Sequence, residues 1–295
     1  MKWYLIIGLI GFTLNSSASE VRESQSVFDQ RHFHLLTFKC ALDKQDGPES
    51  TPQSPPLDVD DPGTPGCNQW EVNLVADGDL SSGQRNLELP LLDLNYGIGD
   101  NLQLKYEIPY VSQQSSGVKN SAVGETKVGL KYMFYENEEA DLQLAVYPQL
   151  SFASPDQSAV GKGISTPGKI LTLPLLYTQK LGENRIGNIN LTANLGYNLS
   201  TKSDVTNYVS AALGIAVPVH RRIALMAEIS SQQGTAKLEF ESRQSLVKVN
   251  AGFIATVSRT VLIFASAGRS VYTSDETPHS YVLAGLRLST KNVQE

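Results

Sequence analysis

The amino-acid sequence predicts an all-β fold, a 12-stranded antiparallel up-and-down transmembrane β-barrel with a short irregular N-terminal extension. Three observations lead to this prediction. The chain begins with an export signal, continues with segments in which apolar and polar residues alternate, and joins those segments by connections that are alternately short and long. An even number of such segments, with short turns at one rim and long loops at the other, is typical of bacterial outer-membrane barrels.

Residues 1–18 are predicted to be a secretory signal peptide. Lys2 precedes an apolar run at 3–14, and the small residues at 16–18 offer a cleavage site. The apolar run is too short to cross a bilayer as a helix, and no later run approaches the roughly 18 residues that a spanning helix needs. An exported chain without spanning helices is either soluble or a barrel.

Residues 19–66 differ in composition from the rest of the chain. The stretch 27–40 contains apolar residues without a clear period, and residues 47–66 are rich in proline and acidic residues. Such a sequence forms neither a ladder nor a helix. We therefore expect a periplasmic N-terminal extension that could act as a plug, followed by an outer-membrane barrel at 67–288 and a C-terminal tail at 289–295.

From Trp70 onward the sequence alternates with a period of two, as β-strands do. Each segment holds about 9–12 residues, the length that a tilted strand needs to cross a membrane, whereas soluble strands most often hold about 5–6. The phase shifts near Pro90, which predicts a β-bulge there. The twelve segments are 70–76, 86–96, 102–110, 126–134, 142–152, 170–180, 188–199, 208–219, 223–230, 245–257, 261–271 and 280–288.

The connections between these segments fall into two classes. Short ones are expected at 97–101, 136–140, 182–187, 220–222 and 258–260. Longer ones, rich in small and polar residues, are expected around 77–85, 111–125, 153–168, 200–207, 231–243 and 272–279. A soluble sandwich has no reason to alternate its loop lengths so regularly.

Residues 188–200, NINLTANLGYNLS, show which face looks inward. One face carries aliphatic side chains and tyrosine, and the other carries amides and threonine. In a soluble sandwich the apolar face would be the core, whereas in a membrane barrel it meets lipid and the amides line the interior. Charges of both signs opposite the aliphatic residues favour the barrel, because they can pair in a narrow wet lumen. The predicted lumen-lining residues are Glu71, Glu88, Asp93, Lys105, Glu107, Lys127, Lys131, Glu228, Lys248 and Arg287.

The sequence offers little for catalysis or for metal binding. The four histidines, His32, His34, His220 and His279, belong to no nucleophile motif. His32 and His34 alone would be two ligands without a third. We therefore expect no enzyme activity, no catalytic residues, no metal and no cofactor. A net charge of −6 likewise gives no reason to expect nucleic acid.

Cys40 and Cys67 are the only cysteines in the chain. Both follow the signal, so in an oxidising compartment they are candidates for a disulfide bond. Two free thiols are the alternative.

Several stretches resemble one family of bacterial proteins. DDPGTPGCNQWEVNL (60–74), ELPLLDLNYGIGDNLQLKYEIPYV (88–111), GETKVGLKYMF (124–134) and AVYPQLSF (145–152) are similar to outer-membrane proteins of the putative meta-pathway of phenol degradation, over roughly 60–288. The resemblance implies an outer-membrane barrel and a channel for aromatic or other hydrophobic molecules. It supplies no catalytic residues.

These observations predict a passive channel or uptake pore for small, possibly aromatic or hydrophobic, molecules. The chain would reside in the cell outer membrane of a Gram-negative-type bacterium. Its expected partners are outer-membrane lipid, the barrel-assembly machinery and a small-molecule solute that the sequence does not name. The alternative is a non-conducting structural or interaction barrel.

Overall fold

The computed structural model describes residues 33, 36, 38, 40, 59–153, 158–235 and 245–290. Within these residues the chain forms fourteen β-strands and one short helix. They are β1 (Trp70–Ser81), β2 (Gln84–Ile98), β3 (Leu102–Ser115), β4 (Val118–Val123), β5 (Glu125–Asn137), β6 (Leu142–Val146), β7 (Gln149–Ala153), α1 (Ser158–Gly161), β8 (Lys169–Glu183), β9 (Asn188–Ser200), β10 (Tyr208–His220), β11 (Ile223–Gly234), β12 (Ser245–Ser258), β13 (Val261–Thr273) and β14 (His279–Ser289).

The fourteen strands make twelve spans. Gly124 separates β4 from β5, and both pair with β3, so they form one span. Tyr147 and Pro148 separate β6 from β7, and both pair with β8. The first strand, β1, pairs antiparallel with the last, β14, so the sheet closes on itself. The predicted 12-stranded antiparallel barrel is confirmed.

The two faces of the wall differ in exposure as β9 illustrates. Asn190 and Asn198 are buried, at 6% and 2% exposure, whereas Leu195 is 58% exposed. The amide side chains therefore lie on the enclosed face, which we call the lumen face, and the aliphatic side chains lie on the outer face. Among the described residues, no helix has the length and apolar character to cross a bilayer.

The two rims of the barrel have different connections. The short-turn rim carries the turns after β2, β5, β8, β10 and β12, together with the start of β1 and the end of β14. The opposite, long-loop rim carries the connections after β1, β3, β7, β9, β11 and β13. The prediction of long connections at 77–85 and 111–125 is wrong. The strands are longer than expected, so β1 joins β2 through a two-residue turn at 82–83, and β3 joins β4 through one at 116–117.

Positive φ angles make these two-residue turns feasible. Gly83 has a φ of 79°, Ser116 of 50° and Gly117 of 83°. Two-residue hairpin turns need φ above zero, which glycine adopts without steric cost. The bulge predicted near Pro90 is present, since the pairing of β2 with β3 shifts register between Glu88 and Leu91.

Candidate functional site in the barrel lumen

A polar network begins where β14 meets β1 on the lumen face. The Arg287 Nη1 atom lies 3.3 Å from Glu71 Oε2, and its Nε donates to Asn73 Oδ1 at 2.9 Å. The amide of Asn73 in turn donates to Glu71 Oε1 at 3.1 Å and to Asp93 Oδ2, on β2, at 3.0 Å. One amide thus links an ion pair on β14 and β1 to the carboxylate of β2.

The network continues across β3 to β5 through alternating charges. Lys105 Nζ lies 3.3 Å from Asp93 Oδ1 and 2.7 Å from Glu107 Oε2. The other carboxylate oxygen of Glu107 accepts from Lys127 Nζ at 2.8 Å. The side chains of Lys105, Asp93 and Glu107 are 11%, 14% and 13% exposed. Charges so shielded from water require partners of opposite sign, and the alternation supplies them.

The remaining residues predicted to line the lumen lie on β2, β5, β11 and β12. Lys131 on β5 is 5% exposed, with its ammonium 4.9 Å from the centre of the Tyr147 ring. Glu228 on β11 is also 5% exposed. Lys248 on β12 lies 4.7 Å from the Tyr281 ring centre. Glu88 lies on β2, next to the bulge, and is half-buried.

A stretch of backbone, residues 59–66, crosses the enclosed space; we call it the lumen segment. Lys131 Nζ donates to the carbonyl oxygens of Asp61 at 2.7 Å and Gly63 at 3.1 Å. On the far side, Asn194 accepts from the Asp60 N–H and donates to the Asp60 carbonyl, both at 2.7 Å. Lys131 is on β5 and Asn194 on β9, which are not neighbours in the wall. The lumen segment must therefore pass through the interior.

The lumen segment enters beside β2 at the short-turn rim. A Cβ atom added to Gly97 would lie 1.8 Å from the carbonyl oxygen of Gly66, so only glycine allows this approach. The Gly97 N–H donates to the Gln69 carbonyl at 2.9 Å, and Thr64 Oγ1 donates to the Asp100 carbonyl at 3.0 Å. At its inner end Val59 is 1% exposed and packs over Gly214 of β10.

A disulfide bond joins Cys40 to Cys67, with their Cα atoms 5.6 Å apart. Cys67 directly follows the lumen segment. The neighbouring Asn68 donates from its amide to Cys40 Sγ at 3.4 Å and accepts from the Tyr96 hydroxyl at 3.0 Å. The bond therefore lies at the short-turn rim, beside the entry of the lumen segment.

An apolar cluster on the lumen face adjoins the charged network, since Leu262 of β13 pairs with Arg287 of β14. The lumen-lining residues predicted from the sequence are all charged, so they do not include this cluster. The available signal was that the segments at 208–219 and 261–271 are largely apolar on both faces. Its buried members are Val75, Ala216, Ala224, Met226, Ile254, Leu262 and Phe264, with Leu91 and Leu283 packed against them. The lumen face thus carries a charged network and an apolar cluster next to each other.

At the long-loop rim, polar contacts tie the connection after β9 to β5. Lys202, which follows β9, forms an ion pair with Glu125 at the start of β5. Ser165 donates to the same carboxylate at 3.2 Å, and Thr166 donates to Asp204 at 2.7 Å. Because β7 and β8 stand between β5 and β9 in the wall, these contacts draw two loops together over that part of the rim.

The histidines within the described residues have structural contacts at the rims. His279 Nδ1 lies 2.7 Å from Asp79 Oδ1, and His220 Nδ1 accepts from the Arg222 N–H at 3.3 Å. His32 and His34 lie outside the described residues, which contain no group of three or more His, Cys, Asp or Glu able to hold a metal.

Asp275 lies in the connection after β13 at the long-loop rim. Slight burial acts to raise the pKa of Asp275, but hydrogen bonds from Thr277 and Thr273 outweigh it and lower that pKa.

The known proteins that this chain matches are solved structures. No protein family and no curated protein matches the sequence. The COG4313 outer membrane channel from Pseudomonas putida F1 matches with a TM-score of 0.60 at 14% identity, covering 80% of this chain and 100% of that chain. NanC porin matches with a TM-score of 0.53 at 7% identity, covering 74% and 98%. The CymD monoaromatic hydrocarbon channel gives 0.40 at 8% identity, over 78% and 90%.

The first two similarities, together with the closed barrel, define the class of fold. This chain has the fold of the outer-membrane β-barrel channels. The shared feature is the closed antiparallel barrel itself, because identity at this level carries no residue correspondence.

Proposed function

We propose that this chain is an outer-membrane protein acting as a passive channel or uptake pore for small molecules, with the lumen segment as its plug. One observation carries the proposal. The interior holds a polypeptide segment fastened by side-chain bonds from Lys131 and Asn194, whereas a purely structural barrel would be filled by its own side chains. Barrels of about eight strands are just filled by side chains, so twelve strands leave space for more.

The proposed solute is a small aromatic or otherwise hydrophobic molecule. The apolar cluster on the lumen face, which includes Met226, Leu262 and Phe264, supports this class, because sites for such molecules are lined mainly by hydrophobic and aromatic side chains. The resemblance of residues 60–288 to the phenol-degradation proteins points the same way. Export through a signal at 1–18, removal of that signal and insertion by the barrel-assembly machinery belong to the same proposal.

The rival function is a non-conducting structural barrel, and the charged network is the observation that favours it. Lys105 and Lys127 both contact Glu107, so part of the lumen face is already internally compensated. Conductance is the property that separates the two functions.

The sharpest test uses a pair of glycine substitutions in planar bilayers. Gly97→Ala places a methyl group against the Gly66 carbonyl and must displace the entry of the lumen segment. We expect its single-channel conductance to rise at least about twofold over the unsubstituted protein, because removal of a constriction widens the conducting path. Gly182→Ala is the matched control, since no atom lies within 4 Å of the added Cβ. Its conductance should not change.

The solute class is tested on the same preparation. If aromatic acids block the current through Gly97→Ala more strongly than aliphatic acids of the same charge, the proposed class is supported. The channel proposal is contradicted if neither Gly97→Ala nor deletion of residues 20–60 conducts.

A further inference from the structure

Four residues of the extension, Phe33, Leu36, Phe38 and Cys40, lie at the short-turn rim; we call them the belt. The belt is fastened first at Phe33, which forms an antiparallel bridge with Tyr135 of β5. The two aromatic rings are 5.0 Å apart between centroids, in an edge-to-face arrangement.

Strand register shows that this contact is on the outer face. Tyr135 pairs with Leu144 of β6, two residues before Val146, which is 38% exposed. Between them Ala145 is fully buried on the lumen face. Leu144 and its partner Tyr135 therefore point outward, and residues opposite each other in an antiparallel pair share a face, so Phe33 does too.

The other end of the belt is also on the outer face. Cys40 is bonded to Cys67, and Asn68 joins it to the hydroxyl of Tyr96. The Tyr96 ring packs against Trp70, with centroids 4.7 Å apart, and Trp70 is 46% exposed. Trp70 and Tyr96 are each next in sequence to a residue of the lumen face, Glu71 and Asn95. Successive side chains of a strand point to opposite faces, so both rings point outward.

The belt spans from β5 to β2 across the end of β3, which lies between them in the wall. Its fixed ends hold large apolar side chains in the open, since Phe33 is 50% exposed, Leu36 55% and Phe38 69%. Exposed apolar patches of this kind mark contacts with proteins or membranes. Here the patch continues into outward leucines such as Leu104, which is 44% exposed, and into the aromatic pair at the rim.

We propose that Phe33, Leu36 and Phe38 insert into the headgroup–acyl boundary of the lipid leaflet at the short-turn rim and anchor the extension to the membrane. The proposal rests on the proposed membrane placement of the barrel. Aromatic residues at both ends of the belt suit that depth, where amphipathic rings collect. Lipid is the occupant because the patch is continuous with the lipid-facing wall.

Tryptophan fluorescence tests this inference directly. The chain contains two tryptophans, Trp3 in the predicted signal and Trp70. In a Trp70→Phe background, with removal of Trp3 verified by mass, three single-tryptophan variants are compared: Phe38→Trp in the belt, Leu195→Trp on the outer wall and Val118→Trp on the long-loop hairpin. Each is folded into vesicles of phosphatidylcholine brominated either near the headgroup or near the chain end, and folding is verified by faster gel migration before boiling.

We expect shallow bromines to quench Phe38→Trp at least about threefold more than Val118→Trp, as for a side chain at the interface. Leu195→Trp should be quenched as well. Reduction of the Cys40–Cys67 bond should weaken quenching of Phe38→Trp and leave Leu195→Trp unchanged. Quenching of Leu195→Trp without quenching of Phe38→Trp overturns the anchor while leaving the barrel in the membrane. Absence of quenching at Leu195→Trp overturns the membrane placement, and the anchor with it.

Discussion

Glu107 holds two lysines on neighbouring strands of the lumen face. Its carboxylate contacts Lys105 at 2.7 Å and Lys127 at 2.8 Å, while Lys105 also contacts Asp93 at 3.3 Å. The two lysines therefore differ in whether they retain an ion-pair partner when Glu107 is replaced. Lys105 retains a carboxylate, whereas Lys127, at 34% exposure, is left to water and to its surroundings.

We expect Glu107→Gln to lower the free energy of unfolding by about 3 kcal/mol, because it leaves surplus positive charge in a shielded site. Lys127→Met in the same chain should restore part of that loss by removing the surplus. Urea titration of the protein folded into vesicles, carried out on both single variants and the double variant, measures the coupling. Strictly additive effects of the two substitutions would contradict the assignment of Glu107 as their shared partner.

At the residue scale, the sequence predicts the face of the wall on which a side chain lies but not the residue that the side chain contacts. The alternation in residues 188–200 predicts that Asn190 and Leu195 lie on opposite faces, and their exposures of 6% and 58% agree. The pairing of Arg287 with Asn73, which are 214 residues apart, depends on closure of the barrel and on register. A period of two carries no information on either.

The hairpins β1–β2 and β3–β4 lie side by side at the long-loop rim, where Gln84 of β2 pairs with Ser115 of β3. Their turns depend on a few residues with positive φ, among them Gly117 at 83°. No side chain lies within 4 Å of a Cβ added at Gly117, so a substitution there meets backbone strain alone. This isolates the conformational role of the glycine from packing.

Gly117→Ala should destabilise the tip of the β3–β4 hairpin by about 1 kcal/mol, because alanine has a steric penalty at positive φ. The tip should open more often, and trypsin should cleave after the exposed Lys119 about five times faster, the factor that such an energy gives. Gly161→Ala, at the end of α1 and equally without neighbours, is the control. Equal cleavage rates in both variants would show that the turn does not depend on glycine.

The elements were more predictable than their ends. All twelve spans coincide with segments of alternating sequence, because the lumen on one side and, in the proposed membrane placement, lipid on the other impose that alternation. The extensions at 77–81 and 118–123 belong to stretches that are rich in small and polar residues, a composition that predicts loops. Their pairing depends on Gly83 and Gly117, whose significance as turn residues emerges only once the strands are aligned.

At the scale of the whole molecule, the lumen segment was the least predictable feature. Residues 47–66 have the composition of a linker, and the contacts that hold the lumen segment use the carbonyls of Asp60, Asp61 and Gly63, which any residue could supply. A backbone-mediated contact has no signature in the sequence. What the sequence did offer was the position of Cys67, immediately before the first strand.

The Cys40–Cys67 bond closes a loop over a sequence separation of 27 and anchors its two ends at the short-turn rim. In the chain-entropy account such a bond restricts the unfolded chain by roughly 3–4 kcal/mol, less where proline already limits freedom. With the bond intact, the lumen segment is the end of a closed loop. Without it, the N-terminal side of the segment is free of this tether, and among the described residues its next attachment to the barrel is the Phe33–Tyr135 bridge. Once the bond is open, the lumen segment gains more conformational freedom when it leaves Lys131 and Asn194. Its displacement is therefore more favourable than in the bonded protein.

We therefore expect reduction of the bond to raise the flux of small solutes, measured by swelling of vesicles that contain the folded protein. The control is the Cys40→Ser/Cys67→Ser variant, which should show the raised flux from the outset and no response to the reductant. Mass spectrometry of the unreduced protein should find a peptide that joins the two cysteines. A joined peptide with the same flux before and after reduction would leave the disulfide in place but contradict its role in holding the plug, because the bonds from Lys131 and Asn194 would then suffice on their own.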